Sequence, residues 1–274
     1  MKKLSFITIF AALFMFSACS FFELDNKEAP EETLCGAFTD ADGNAVLTTP
    51  TSAGIVIRTE EMDYIAPGQT EVQTADYNSD FYAKTDGTYN NCRYFPGKYK
   101  VYAYGPFMPL YLKDGDGNVA IDNTKTVDIK GVTRVDYTVE PFLKVEWAGL
   151  PVVSANKISV PIKVTRAVTP ERFQEVLEPT GTYSADQINV TDVRLYVSYA
   201  PQVGQGNSDS RWSSYIEYTG ATFEKNLGNA ITLTSEGTIP SGRKVFIRAA
   251  ARINYSTLDN RRYNYTDIIE VDIP

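Results

Sequence analysis

The chain has 274 residues, 43% of them hydrophobic and 22% charged, a globular composition with room for two domains of roughly 100–150 residues. It contains no histidine, so neither a Ser-His-Asp or Cys-His catalytic arrangement nor a histidine-ligated metal site can be assembled from it. Lys and Arg number 26 against 34 Asp and Glu, a net charge of −8 that leaves no dominant basic face to draw nucleic acid.

Lys2 and Lys3 precede an apolar run from Leu4 to Phe16, too short to span a bilayer comfortably and flanked like a secretory signal. The run closes on Phe16-Ser17-Ala18-Cys19. Small residues directly before a cysteine resemble the lipobox of bacterial lipoproteins, although Phe16 stands where Leu is usual. The resemblance implies a signal peptide over residues 1–18 and lipid attachment at Cys19, which becomes the new N-terminus. An ordinary secretory signal that happens to contain a cysteine is the alternative. Removing residues 1–18 takes away Lys2 and Lys3 and no acid, so the net charge moves from −8 to −10. Residues 19–33 then carry Glu23, Asp25, Glu28, Glu31 and Glu32 against Lys27 alone, and read as a solvated, lipidated tether. Acids so soon after a lipidated cysteine resemble the signal that directs Bacteroidota lipoproteins to the exterior face of the outer membrane. A periplasm-facing anchor is the alternative. The only membrane contact expected is through the lipid.

From residue 34 the chain alternates with period two between short Gly- and Asp-containing turns, the pattern of an all-β protein. Strands are expected at 34–39, 54–59, 80–84, Tyr89 to Phe95, Lys98 to Tyr104, 124–129 and 133–139. Thr85-Asp86-Gly87-Thr88 is a tight turn in which Gly supplies the positive φ. Cys35 and Cys92 fall in two of these strands, and an oxidising compartment permits a bridge between them. Two unbridged small residues are the alternative, and without a CxxC spacing neither a redox nor a metal reading is supported. Leu34-x-Gly36, Asp42-Gly43, Asp86-Gly87-Thr88-Tyr89 and Pro96-Gly97-Lys98-Tyr99-Lys100-Val101 resemble the carboxypeptidase regulatory-like, prealbumin-type sandwich. That resemblance covers a first domain at 34–140 and implies a scaffold without catalysis.

Val139-Glu140-Pro141-Phe142 breaks the pattern and opens a second domain at 141–274. Leu143, Val145 and Trp147 share one strand face. Ile158, Val160, Ile162 and Val164 alternate next, with Pro161 suggesting an edge strand because Pro cannot donate to a central ladder. Thr169, Pro170 and Glu171 cap a short helix at 170–177 with Phe173, Val176 and Leu177 on one face. Val193, Leu195, Val197 and Tyr199 alternate again, as do Val245, Ile247, Ala249, Ala251 and Ile253, and Ile269, Val271 and Ile273 close the chain. About seven strands over this length suit an immunoglobulin- or fibronectin-III-like sandwich.

With the lipobox and Leu24-Asp25-Asn26-x-x-Ala29-Pro30, the two domains together resemble a family of Bacteroidota surface lipoproteins, the domain-of-unknown-function family 3823. That resemblance implies a gene neighbourhood near Sus-like glycan uptake systems and a cell-surface role in capturing polysaccharide or oligosaccharide beside outer-membrane importer components. It supplies no catalytic motif to carry over.

A glycosidase needs two carboxylates and no histidine, but the acids here sit mostly in turns or on alternating strand faces, where solvation is the default. Asp114-x-Asp116-x-Asn118 opens like a calcium loop, yet Val119 and Lys125 stand where an EF-hand needs Gly and Glu. A plain turn is the expectation there, with a structural Ca²⁺ held partly by backbone carbonyls left open; no cofactor and no side-chain metal site are expected. Sugar binding wants exposed aromatic rings beside polar groups. Trp147 reads as core. Arg211 and Trp212 end a polar, Gly-rich loop at 201–212, which a fibronectin-like order would hold outward, far from the lipid. Tyr255, Arg261 and Tyr263 lie in the 255–263 loop, expected at the junction between domains. These five are the candidate glycan-binding residues, against packing for Trp212 and an interdomain contact for the loop. Tyr99, Tyr102, Tyr104 and Tyr111 cluster near Pro106-Phe107-Met108-Pro109; Tyr102 and Tyr104 share a face that is either sheet surface or core. The combined expectation is a non-catalytic, surface-anchored glycan binder, with a structural spacer or protein-contact subunit as the rival.

Overall fold

The computed structural model describes residues 29–65, 68–71 and 78–274. The signal segment 1–18, the lipid attachment site at Cys19 and most of the tether lie outside the described residues.

The first half contains β1 (Glu32–Thr39), β2 (Val56–Glu61), β3 (Asn78–Tyr82), β4 (Thr88–Tyr94) and β5 (Gly97–Tyr104). It continues with β6 (Tyr111–Lys113), β7 (Val119–Asp122), β8 (Lys125–Ile129), β9 (Val132–Arg134) and β10 (Tyr137–Thr138). One sheet is formed by β4, β1 and the parallel neighbours β9 and β10; the facing sheet runs β3-β2-β5-β8. Period two decides what lies between them: Leu34, Phe38, Tyr89 and Tyr94 point in from one sheet, and Ile57, Tyr99, Val101 and Ile129 from the other. Gly87 holds φ +79° in the turn before β4, as its turn chemistry requires. The single strand expected at 133–139 is split, because Asp136 turns its carboxylate to accept the Ala37 N–H at 2.9 Å.

Cys35 and Cys92 are both free thiols. Cys35 is paired with Asn90, while Cys92 lies beyond, in a bulge where Cys92 and Arg93 together oppose Thr33. The two side chains are offset along neighbouring strands rather than opposed, which the roughly 3.5–4.5 Å between Cβ atoms of a disulfide does not tolerate. The permitted bridge is therefore not made.

Gly36 is required by close approach. A Cβ there would sit 2.0 Å from the Val135 carbonyl oxygen and 2.7 Å from the Tyr89 hydroxyl, which itself donates to that carbonyl. Gly36→Ala is expected to cost about 1–3 kcal/mol through overpacking, read as a lower urea midpoint at unchanged m; an unshifted midpoint would show that β1 gives way freely.

The second half begins with β11 (Leu143–Trp147), β12 (Val152–Ser154), β13 (Lys157–Arg166), α1 (Pro170–Leu177) and β14 (Val190–Ser198). Next come β15 (Ser214–Glu217), β16 (Ala230–Thr234) and β17 (Arg243–Ile253). The chain ends with β18 (Ser256–Thr257), β19 (Asn260–Arg261), β20 (Asn264–Tyr265) and β21 (Ile269–Ile273). One sheet places β13 between β16 and the pair β11 and β12; the other runs β15-β14-β17, with β20 and β21 on the far side of β17. This is the two-sheet order of an immunoglobulin/fibronectin-type sandwich. The apolar residues of the alternations in β13, β14 and β17 lie in its core, except Tyr199, which falls just past β14 and is exposed. The helix begins as its sequence directs, with the Thr169 hydroxyl accepting the Arg172 N–H at 3.2 Å and Phe173 and Leu177 buried.

Pro161 does not mark an edge: β13 is the inner strand of its sheet. The Pro161 carbonyl accepts the Ala148 N–H at 2.9 Å, so the ring nitrogen faces the same side. That side is where the chain passes from β11 to β12, and no ladder bond is lost there.

The two sandwiches meet over the outer face of β14 and β17. Leu47 of the first packs with Tyr196, Val203, Tyr263 and Tyr265 of the second. Arg248, on the outward row of β17, is only 1% exposed. Its guanidinium donates to the carbonyls of Thr48 (2.6 Å), Thr85 (3.2 Å) and Thr266 (2.9 Å) and lies 4.4 Å from the Tyr265 ring centroid. Arg262, also buried, donates to the carbonyls of Ser52 and Gly54 and to the Thr257 hydroxyl. Burial pushes both guanidinium pKa values down to about 10, so both remain charged at neutral pH.

Candidate functional site

The outer face of the β3-β2-β5 sheet carries the polar and aromatic residues that the inner alternation leaves over. Register sets them in rows: Tyr82, Val56 and Tyr104; then Asp80, Arg58 and Tyr102; then Asn78, Glu60 and Lys100. Arg58 and Asp80 form a two-pronged ion pair at 2.7 Å for both prongs. The Arg58 guanidinium lies 5.4 Å from the Tyr104 ring centroid. The Tyr102 hydroxyl donates to the Glu60 carboxylate at 2.7 Å. Burial first, and that carboxylate second, push the Tyr102 phenol well above its ordinary range, so it remains a neutral donor.

The β6–β7 hairpin folds back over this face. It sets the Tyr111 ring 4.9 Å from that of Tyr102 and 4.3 Å from the Lys100 ammonium, which also sits 3.8 Å from Asp122. Between the hairpin, the end of β5 and the β18 strand of the second sandwich opens a small cleft of about 50 Å³. Tyr104, Pro109, Tyr111 and Leu112 line it from one side, Tyr255 and Leu258 from the other. Tyr104 and Tyr111 are partly exposed, and Tyr82 more so at 46%. Rings against which an apolar sugar face can lie are thus set beside hydrogen-bonding groups already held in place by one another. Asp114-x-Asp116-x-Asn118 at the hairpin tip is an Asx turn in which Asp114 accepts the Asp116 and Asn118 N–H groups at 3.0 and 2.8 Å. Among the described residues no group of three or more Cys, Asp or Glu side chains could hold a metal ion.

The residues favoured from sequence are mostly elsewhere. Trp212 is 3% exposed, packed edge-to-face on Tyr199 at 4.9 Å within the second core; the loop that ends on it does not lift it into solvent. Arg211 is exposed but paired with Asp209 at 2.6 Å. Nor does the 201–212 loop reach outward. Thr49 of the first sandwich donates to the Gln205 carbonyl at 3.0 Å, and Val203 is fully buried at the joint. Tyr255 borders the cleft, yet is itself buried against Phe142 and Phe173. Tyr263 is 1% exposed with its hydroxyl on Asp192, and Arg261 is exposed on β19. Of the tyrosine cluster, Tyr99 faces the core, while Tyr102, Tyr104 and Tyr111 make the cleft wall and its backing.

A solved DUF3823 family protein from Bacteroides uniformis is 42% identical, with a TM-score of 0.83 over 89% of this chain and 100% of that one. The chain belongs to the DUF3823 family. A second DUF3823 member, from Parabacteroides merdae, shares the fold at 15% identity and a TM-score of 0.58, over 89% of this chain and all of that one. So does a candidate carbohydrate-binding protein from Bacteroides uniformis, at 15% identity, a TM-score of 0.60 and the same coverage. No family model and no curated protein matches the chain.

Proposed function

We propose that this DUF3823 protein is a non-catalytic, lipid-anchored surface protein of the outer membrane that binds or presents extracellular glycan beside an importer. The observation that carries the reading is the cleft at Tyr104 and Tyr111, whose rings lie against Arg58 and Lys100 of the neighbouring sheet face. The similarity in fold to the candidate carbohydrate-binding protein supports it, and the Phe16-to-Cys19 segment supports the anchor. Importer and outward orientation rest on the family resemblance and the acidic tether. The test is migration of the purified protein through gels containing different polysaccharides. Retardation by one polymer is expected, and Tyr104→Ala with Tyr111→Ala should weaken binding roughly tenfold to a hundredfold while leaving the circular dichroism spectrum intact. Unchanged mobility in every gel would overturn the reading in favour of a spacer, which the sealed joint between the sandwiches would suit.

A further inference from the structure

On the outer face of β14 and β17, among residues that do not line the cleft, a second constellation is built around one buried carboxylate. Register aligns Glu217, Asp192 and Arg252 in one row and Tyr215, Arg194 and Ala250 in the next. Asp192, with its side chain 3% exposed, accepts the Arg194 Nε at 2.8 Å, the Arg252 Nε at 2.6 Å and the Thr191 hydroxyl at 3.1 Å, as well as the Tyr263 hydroxyl.

Both arginines therefore spend Nε on the carboxylate, where a two-pronged pair would also use a terminal nitrogen. Among the described residues neither terminal nitrogen of Arg194 has a hydrogen-bond partner, and Arg252 has only a 3.5 Å contact from Nη1 to the Arg261 carbonyl. The two arginine side chains are 29% and 17% exposed, so neither is sealed from solvent. Neither is loose. The Arg252 guanidinium carbon lies 4.6 Å from the Tyr263 ring centroid, and that of Arg194 lies 4.8 Å from the ring of Tyr215, itself 57% exposed. Two guanidiniums thus stand beside the carboxylates of Asp192 and Glu217, while the Arg261 side chain turns to the Asn254 side-chain oxygen at 3.4 Å.

We infer that Arg194 and Arg252 form a binding site for an oxyanion, the carboxylate or sulfate ester of an acidic saccharide, with Asp192 as the group that aims them. The site does not depend on the cleft. Titration calorimetry of the purified protein with oligogalacturonate and with a sulfated oligosaccharide should show binding of at least one, displaced by inorganic sulfate and weakened by added NaCl. The two saccharide arms distinguish a carboxylate from a sulfate ligand. Arg194→Gln should weaken binding about tenfold, whereas Lys244→Gln, which removes an exposed charge outside both sites, should leave it unchanged. Absence of binding to either saccharide, or undiminished affinity in a folded Arg194→Gln variant, would overturn the inference. Should that variant not fold, failure of inorganic sulfate to compete with the wild-type complex would do so.

Discussion

Arg248→Ala is expected to lower stability by about 3–5 kcal/mol. The guanidinium fills the joint between the sandwiches and is the donor to carbonyls at Thr48, Thr85 and Thr266, on both sides of it. The Thr85 carbonyl also accepts the Thr48 N–H at 3.2 Å and keeps a partner, so the cost falls mainly on the other two and on the cavity. Each buried acceptor left unpaired costs about 1–3 kcal/mol, and the loss of side-chain volume beside Tyr265 adds to this. Arg248→Met separates the two terms, since it restores most of the volume and none of the hydrogen bonds. It should recover only part of the loss. Urea unfolding of the three proteins is the measurement. A midpoint for Arg248→Ala close to the wild type would mean that Leu47 and its aromatic neighbours hold the joint by themselves.

Asp192→Asn should cost about 3 kcal/mol at pH 7, near the lower end for breaking a buried ion pair because both arginines retain some solvent. The amide has the carboxylate's shape but offers an NH₂ where the Arg194 or Arg252 Nε–H needs an acceptor. Burial by itself would raise the Asp192 pKa. The hydrogen bonds from Arg194 and Tyr263 and the charge of Arg252 outweigh it and hold the carboxyl below its ordinary value of 3.8. A folded-state pKa below the unfolded one gives stability that is fully present above the unfolded value and is lost as pH falls through the folded one. The gap between wild type and variant should therefore be widest near neutrality and narrow below about pH 4. A gap that stays constant down to pH 3 would show that the charge of Asp192 is not what stabilises the native state.

Much of the fold was legible in the order of residues, for a physical reason. A strand with one face in a core must alternate, so Val245, Ile247, Ala249, Ala251 and Ile253 declared both their element and their buried side. The helix at Pro170–Leu177 was equally plain, because capping is a local interaction between Thr169 and Arg172. The candidate site was harder. Tyr104 and Tyr111 were visible as a cluster, but whether their face met solvent or core depended on the β6–β7 hairpin and on β18, which is more than a hundred residues away. For Trp212 the polar loop left exposure and packing both open, and the ring turns back into the core beside Tyr199.

The alternating residues of each strand determined, by themselves, the all-β class and the inward face of the second sandwich's main strands. What the other faces do was decided only in three dimensions. Arg248 and Arg252 stand on the polar side of β17 and read locally as solvated charges. One is sealed against Thr48, 200 positions away in the chain, and the other is held by Asp192, 60 positions away. Alternation reports the core that a strand makes with its own facing sheet. It carries no signal for a second surface laid over the back of that sheet, since a guanidinium can satisfy distant backbone carbonyls as well as it satisfies water.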